Sequence, residues 1–414
     1  MTEVDLAVVG GGPAGYFGAL RFADLCPGAS VVILEKSERV LHKVLISGGG
    51  RCNITHQCDD VRTFVRAYPR GGKDLLSSLY AFSPNDTLVW FRERGLDFYT
   101  DEEGCVFPIS DRSESVIEVL LKEAERLHVR VWTQAGATDL EANSPGDFVL
   151  TLSNGDQVRS SQVLWATGGS RAGLKLLGKA GVPIQSPVPA LYPLKISDTW
   201  LTELAGVSMN DCGLSLAGSE ISERGTMLIT HRGVSGPAVI RLSSLAARWL
   251  HAVDYHAGLT VDWLPAVRTE QDSLAIMSRW KDKYGGKQTS SVSPFVELPM
   301  RLWRALCGRA GVAEQRWGDL SRVQLRKLNE MLRACEVHVV GRDASQQEYV
   351  TCGGVALAAV DTRRFESRQY PGLFFAGEVL DIDGLTGGYN LQNCWTTGWV
   401  AGSSLAQSMS SPAA

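Results

Sequence analysis

Val4-Asp5-Leu6-Ala7-Val8-Val9-Gly10-Gly11-Gly12-Pro13-Ala14-Gly15 is the stretch whose reading decides the fold of this 414-residue chain. Six residues of strand character run into Gly-x-Gly-x-x-Gly. A helical run to Cys26 follows, and then Val31-Val32-Ile33-Leu34-Glu35. Buried strand, glycine turn, helix and a second buried strand ending in an acid form the βαβ fingerprint of a dinucleotide site. The glycines permit a tight turn, close approach of backbone to a diphosphate, and close helix–strand packing. The diphosphate then lies on the positive end of the helix. Glu35 falls twenty residues after Gly15, where a carboxylate accepts from a ribose hydroxyl.

Three further glycine turns lie downstream. A basic patch of Lys36, Arg39 and Lys43 leads into the strand-like run Val44-Leu45-Ile46 and the loop Ser47-Gly48-Gly49-Gly50-Arg51-Cys52-Asn53-Ile54-Thr55. Three consecutive glycines are poor in a helix or strand interior, but they let backbone N–H groups crowd against something flat or anionic, with Arg51 and Asn53 as side-chain donors. Val163-Leu164-Trp165-Ala166-Thr167-Gly168-Gly169 is a buried strand entering a turn. Gly372-Leu373-Phe374-Phe375-Ala376-Gly377-Glu378 is another, ending in an acid and leading to Asp381 through Asn390 and a helix from about Leu391 to Ser408. Turns after Val9, Ile46, Ala166 and Ala376 gather where an open α/β sheet binds its ligand, at the carboxyl ends of its strands. NAD-dependent dehydrogenases do not usually need the closing strand–glycine–acid–helix segment; flavoproteins do.

Length predicts two or three domains with ample core. Apolar content of 44% and charged content of 21% are ordinary for a globular protein, and a net charge of −4 implies no polyanionic partner globally. The chain enters its first strand at Val4 and no apolar run approaches a membrane span, so a cytoplasmic protein without membrane contact is the expectation. Nine cysteines with no C-x-x-C pair, and seven histidines with no metal spacing, predict reduced thiols and no zinc. Most of the cysteines read as small buried apolar residues.

Between the glycine turns the pattern is mixed. Ser83-Pro84-Asn85-Asp86 opens a helix from Thr87 to Arg94 that stops at Gly95. Asp111 to Leu127 carries an apolar helical face, and Cys105–Pro108 reads as a strand. Val129–Trp132 together with Phe148–Leu152, an Asn154-Gly155 turn and Gln157-Val158 predict a small antiparallel sheet. Prolines 183, 187, 189 and 193 mark a boundary. Short strands follow at Gly213–Leu216, Met227–Thr230 and Leu259–Asp262, with a helix from Ala238 to His251 capped at Ser235 or Gly236. A helical region spans about 267–335. Residues 265–335 hold thirteen Lys/Arg and seven Asp/Glu, a local +6 that leaves −10 for the rest. Such a module can grip an anionic partner or merely solvate helix faces. Gly285–Ser291 within it reads as a mobile loop. Glu348–Val355 predicts a strand into another glycine turn.

The motifs Lys43–Thr55, Leu228–Pro237, Thr351–Val355 and, above all, Phe375–Gln392 make the chain resemble the YhiN/BaiN-type bacterial FAD-dependent oxidoreductases. The resemblance spans nearly the whole sequence. It implies an α/β fold: a Rossmann-type FAD domain from both chain ends, residues 1–189 and 349–414, with an inserted β-barrel (190–265 and 336–348) and helical subdomain (266–335). It also implies roles. Gly10, Gly12, Pro13, Ala14 and Gly15 would hold the FAD diphosphate and Glu35 the adenosine ribose. Ser47, Gly48, Gly49, Gly50, Arg51, Cys52 and Asn53 would line the flavin. Thr167 and Gly168 would pass beside the diphosphate, Gly377 and Glu378 would face the ribityl chain, and Gly388, Tyr389 and Asn390 the flavin's far end. Lys36, Lys43 and Ala137 complete the cofactor set. This family carries Glu at 378 where other flavoproteins often carry Asp.

Known members include reductases of conjugated C=C bonds in bile-acid intermediates, an aminoacetone oxidase and a ribosomal RNA dihydrouridine synthase. The leading expectation is an FAD reductase that passes hydride from NAD(P)H to an activated double bond. With no second glycine fingerprint, NAD(P)H would bind transiently in the substrate cleft. Tyr389, Cys52 and His231 are the candidate proton donors, His231 and Cys52 each with a structural alternative. Uracil reduction in ribosomal RNA using the basic segment, an amine oxidase, and a flavin-binding scaffold without catalysis are the alternatives.

Overall fold

The computed structural model describes residues 1–343 and 350–410. The chain divides into two compact units, Met1–Val188 with Val350–Ala414, and Pro189–Tyr349. The expected strand at Glu348 is described from Val350 to Val355; its residues 348–349, and the expected barrel boundary between them, lie outside the described residues.

The first unit is built on a nine-stranded sheet. Its strands are β1 (Thr2–Val9), β2 (Val31–Leu34), β3 (Arg130–Trp132), β4 (Ala137–Ser144), β5 (Asp147–Leu152), β6 (Gln157–Trp165), β7 (Val360–Asp361), β8 (Glu366–Ser367) and β9 (Leu373–Phe375). The order is β7-β8-β9-β6-β1-β2-β3, with β4 and β5 attached as an antiparallel meander to β6. β9, β6, β1, β2 and β3 run parallel. Central parallel strands are covered on both faces, so they read as unbroken apolar runs; Leu6, Ala7 and Val8 are accordingly fully buried.

Val129–Trp132 is not part of the antiparallel meander that its sequence predicted. It is the outer parallel strand, paired through Leu34 and Trp132. A three-residue strand carries too little pattern to choose its partner; the meander recruits β4 instead, whose mostly exposed residues hid it. Val44-Leu45-Ile46 is also corrected: it belongs to the helix His42–Ile46 and buries only Val44, with Ile46 exposed. The helix Pro84–Arg92 is opened by a reciprocal Ser83–Asp86 capping box.

Two helices lock the sheet. α1 (Pro13–Leu25) buries ten of its thirteen residues, which is why its hydrophobicity runs all round. It packs against α2 (Tyr389–Ser410) through glycines: a Cβ on Gly398 would lie 2.8 Å from the Ala14 carbonyl oxygen. Ends of the chain separated by almost four hundred residues therefore form one layer.

The second unit holds a closed six-stranded barrel, in the order Leu194–Ile196, Gly233–Ser235, Ser222–Thr230, Ser208–Leu216, His256–Asp262 and Cys335–Arg342. The helices Glu270–Tyr284, Met300–Ala310 and Arg322–Arg333 intervene before the last strand. The expected helix Ala238–His251 is two, Pro237–Leu245 and Ala247–Ala252, broken at Ala246; Gly236 at φ 97° is its N-cap. Gly285–Ser291 is not a free loop. Thr289 is fully buried, its N–H and hydroxyl both donate to the Gln315 carbonyl, and its own carbonyl accepts from Trp303 Nε1 at 2.9 Å. The ring of Trp303 stacks on Trp317, a tertiary anchor invisible in a glycine-rich string. The fold class expected from the sequence is the one observed.

Candidate functional site

Strand register aligns the carboxyl ends. Val9 pairs with Leu34 and Trp165, and Trp165 with Phe375. The next residues continue the ladder: Gly10 N–H donates to Leu34, Ala166 N–H to Val9 and Ala376 N–H to Trp165. Three of the four glycine turns thus leave the sheet side by side. Gly10, at φ 111°, presses on the next turn, where an added Cβ would lie 2.5 Å from the Ala166 carbonyl oxygen. Gly377, at φ 77°, meets Ala14, whose Cβ would be 2.7 Å from one on the glycine.

Gly12 differs from its neighbours. It is the N-cap of α1, no side chain caps that helix, and a Cβ placed there would meet nothing within 4 Å. The first-turn amides of a helix have no internal partners, so an open ledge of N–H groups at a positive helix end faces free space. Glu35 stands beside it, Oε2 accepting from Gly11 N–H at 2.8 Å and Oε1 from Ser37 N–H at 2.9 Å. Lys36 adjoins Gly136, and Ala137 begins β4 a residue later.

The fourth turn does not follow a strand, yet the tertiary structure brings it in. Ser47–Gly50 is a tight turn with Gly48, Gly49, Gly50 and Cys52 all left-handed, at φ 57°, 69°, 88° and 61°. Gly49 and Gly50 face open space, whereas a Cβ on Gly48 would lie 2.8 Å from Asn53 N. Arg51 lies over the Phe107 ring, 4.2 Å from its centroid. The far loop closes on this one: a Cβ on Gly388 would meet Asn53 Oδ1 at 2.8 Å, Thr55 Oγ1 donates to Gln392 Oε1 at 2.7 Å, and Trp395 Nε1 donates to the Ile54 carbonyl at 2.9 Å. Asn390 accepts from Gly384 N–H and donates back to its carbonyl, shaping the loop.

Glu378 links the groups. Its carboxylate accepts from Thr351 N–H at 2.9 Å and pairs with Lys43, and it lies against the Gly168-Gly169 turn. Among the described residues, the buried Oδ1 of Asn53 and Oγ1 of Thr167 have no hydrogen-bond partner. They are two of twelve such side-chain atoms among the described residues, and these two lie on the glycine turns. An open helix-end ledge, an acid at the end of β2, glycines facing free space at 49–50 and two unpaired polar atoms fit an extended dinucleotide with a planar end group.

Residues that sequence reasoning missed complete the walls. Tyr389 stacks on His56 with centroids 4.8 Å apart, packs on Phe64, and accepts at its carbonyl from Tyr68 hydroxyl at 2.7 Å. His56 Nδ1 lies 3.2 Å from the Gly387 carbonyl, and burial holds its pKa below the usual histidine value. Arg70 clamps the far loop from a distant segment, its Nε 2.5 Å from Oδ1 of the fully buried Asp383. A single Arg and Asp 313 residues apart leave no local pattern to find.

Of the three candidate proton donors, Tyr389 lies within this cluster. Burial raises its phenol to about 12, so it holds its proton across the physiological range. His231 is exposed on the second unit, between the barrel strands Ser222–Thr230 and Gly233–Ser235. Cys52 is fully buried, and burial pushes its thiol from 9.0 to about 12. A neutral, inaccessible thiol behaves as a packing group. Alkylation of native protein at pH 8, read by mass spectrometry, is therefore expected to spare Cys52 until the chain unfolds. The same burial gives a sign for alkaline stability. Cys52, Cys212, Cys307 and Cys394 are all raised to about 12 when folded. Each contributes stability that is complete below pH 9 and lost as pH rises towards 12, at about 1.4 kcal/mol per pH unit per thiol. Urea midpoints should fall steeply above pH 9.

A parallel sheet with its glycine turns gathered at the strand ends, plus a second glycine cradle joined to the carboxyl-terminal helix, is the architecture of a dinucleotide-binding Rossmann domain, and its family and relatives make the class FAD-dependent oxidoreductase. The chain belongs to the HI0933-like protein Rossmann domain family, whose profile it matches over residues 4–404. It is 29% identical over 416 residues to the 3-dehydro-bile acid delta(4,6)-reductase of Clostridium scindens, covering 97% of this chain and 99% of the relative. It is 26% identical over 418 residues to the ribosomal RNA dihydrouridine synthase of Haemophilus influenzae, covering 97% and 98%. Among solved structures, 3-ketosteroid delta1-dehydrogenase from Sterolibacterium denitrificans shares the fold with a TM-score of 0.53 at 12% identity, covering 99% of this chain and 100% of that one.

Proposed function

We propose that this chain is a reductase of activated C=C bonds, with NAD(P)H as electron donor. Bound FAD would supply the hydride chemistry, taking the equivalent from the nicotinamide and delivering it from N5 to an electron-poor carbon. The chain's residues bind, orient and protonate. The N–H groups of Gly12, Ala14 and Gly15 would carry the diphosphate and Glu35 the adenosine ribose. Thr167 and Glu378 would meet the linker, and Asn53 a polar edge of the ring. The other carbon of the reduced bond needs a proton. The observation that carries this reading is a protonated phenol, Tyr389, adjoining Gly388, which packs on the loop bearing an unpaired buried amide oxygen, Asn53 Oδ1. A named bile-acid reductase similar over 97% of the chain supports the substrate class.

Uracil reduction in ribosomal RNA is the second reading, favoured by the named dihydrouridine synthase of similar identity. Both readings meet in one experiment. Holoprotein is bleached anaerobically with NADH or NADPH and then mixed with a steroid enone or a ribosomal RNA fragment. Rapid reoxidation by the enone with saturation of its double bond supports the first reading. Reoxidation by RNA with dihydrouridine formed supports the second, and failure of both nicotinamides to bleach the flavin sinks the donor assignment. Tyr389→Phe should bleach normally yet slow reoxidation by about 10²–10⁴-fold, the range for a lost general acid. An unchanged rate removes Tyr389 from that role.

A further inference from the structure

We propose that the Pro189–Tyr349 unit carries a nucleotide-phosphate cleft of its own, formed by Arg301, Arg304 and Arg309 around Trp200. The cleft is a shallow, open one of about 480 Å³, and Glu203 and Gly308 also line it. A ligand held there would keep one side in solvent, as a phosphate or nucleotide gripped by surface guanidiniums does.

The arginines come from one helix, Met300–Ala310, whose period brings residues 301, 304 and 308 to one face, with 309 at its edge. Arg301 is anchored: its guanidinium donates to the Glu203 carbonyl at 3.1 Å and to that of Ala205 at 3.4 Å. Arg309 sits 5.7 Å from the centroid of the Trp200 ring. Arg304 and Arg309 are exposed, and among the described residues neither has a carboxylate partner. Glu203 is the one acid of the lining, so three cations outweigh a single negative charge. Guanidinium forks match phosphate oxygens two at a time. The partly exposed Trp200 ring, over which Arg309 now lies, is where a nucleobase would stack once the guanidinium turns to the phosphate. Trp200 is partly exposed while its Nε1 is buried with no partner among the described residues, so the indole is held in place without a hydrogen bond of its own.

Gly308 is the independent sign. It lies within a helix, where alanine is favoured. A Cβ there would meet nothing within 4 Å, so no packing demands glycine. What it provides is a bare backbone floor between the arginines, which lets a ligand approach closely. Among the described residues no packing requires glycine at 308, and its exposed backbone leaves room for a ligand beside the arginines.

The test uses full-length, FAD-loaded protein with three probes: inorganic phosphate and uridine 5′-monophosphate by calorimetry, and fluorescein-labelled decauridylate by anisotropy. The monophosphate should bind at least tenfold more tightly than phosphate, and Trp200→Ala should erase that advantage. Arg304→Ala with Arg309→Ala should weaken the monophosphate and the decauridylate tenfold or more. Gly308→Val should do the same while leaving circular dichroism, melting temperature and FAD content unchanged. Glu203→Gln should strengthen binding. For decauridylate, three phosphate contacts predict a slope near −2 for log affinity against log salt, falling by about 0.7 for each arginine removed. Decauridylate more than tenfold tighter than the monophosphate identifies a strand as the ligand; equal affinities identify a free nucleotide. The proposal is overturned if the double arginine variant binds like the parent, if phosphate binds as tightly as the monophosphate, or if Gly308→Val is silent. It does not rest on the reductase reading, and failure of flavin bleaching leaves it standing.

Discussion

Gly12→Val is expected to yield a protein that folds normally and loses its flavin. The position has φ −88° and ψ −178°, ordinary extended backbone, so a side chain brings no strain there. A Cβ at Gly12 would touch nothing within 4 Å. The apoprotein should therefore melt within a degree or two of the parent, since unstrained substitutions in open space change stability by about 0.5 kcal/mol or less. The free space is where a diphosphate would reach the first-turn amides, and a branched side chain there holds the phosphates off the N–H ledge. A hundredfold weaker FAD dissociation constant, about 2.7 kcal/mol, is the expected scale. Gly10→Ala is the contrast. Its φ of 111° and the Ala166 carbonyl oxygen 2.5 Å from the new Cβ place the damage in the backbone itself, so it should lower the melting temperature of apoprotein as well. Equilibrium dialysis of FAD and apoprotein melting separate the two, and a Gly12→Val protein that keeps stoichiometric FAD refutes the assignment of the ledge.

Asp383→Asn is expected to be the most destabilising conservative change in the first unit. Asp383 is fully buried and Arg70, its partner in a two-point ion pair, is only 13% exposed. Burial works against the Arg70 charge, but the hydrogen bonds and field of Asp383 outweigh it and raise its pKa above the ordinary value. Removing one partner of a buried ion pair costs about 3–5 kcal/mol, and because Asp381 also favours the Arg70 charge the lower end of that range is expected. In a unit of this size that is roughly 10 °C in melting temperature. Substituting both residues with apolar side chains should recover part of that loss, because no charge is then left unpaired. The pair also holds the chain just before Gly384–Asn390, so residual Asp383→Asn protein should bind FAD more weakly. A melting temperature within 2 °C of the parent would show that the pair does not hold this loop.

Much of the candidate site could be read locally. Gly10–Gly15, Glu35, Thr167-Gly168 and Gly377-Glu378 announce themselves because each turn follows a strand whose apolar run is continuous. That continuity is itself a consequence of burial on both sheet faces. The loop at 47–53 was legible from its glycines, although its lead-in is a helix rather than a strand; five residues are too few to separate a period of 3.6 from one of 2. Thr351, Tyr68, His56 and the Arg70–Asp383 pair were not legible, since each acts across at least twenty-seven residues of chain. The basic segment misled in part. Lys281 donates to the Leu320 carbonyl and Arg333 to that of Val267, so some of these cations satisfy backbone carbonyls rather than await an anion.

By itself the sequence determined the chemistry of the backbone turns and the class of cofactor domain. Glycine, strand and acid spacings are short-range, and covalent geometry transmits them directly. The tertiary structure alone decided which turns share a site, which cysteines are inert, and which arginines remain available in one cleft. Those outcomes depend on register between strands, on burial, and on contacts closed by the return of Tyr389–Ser410 onto Pro13–Leu25. No local window contains them, because loop closure over hundreds of residues is driven by the sum of the packed core rather than by any motif.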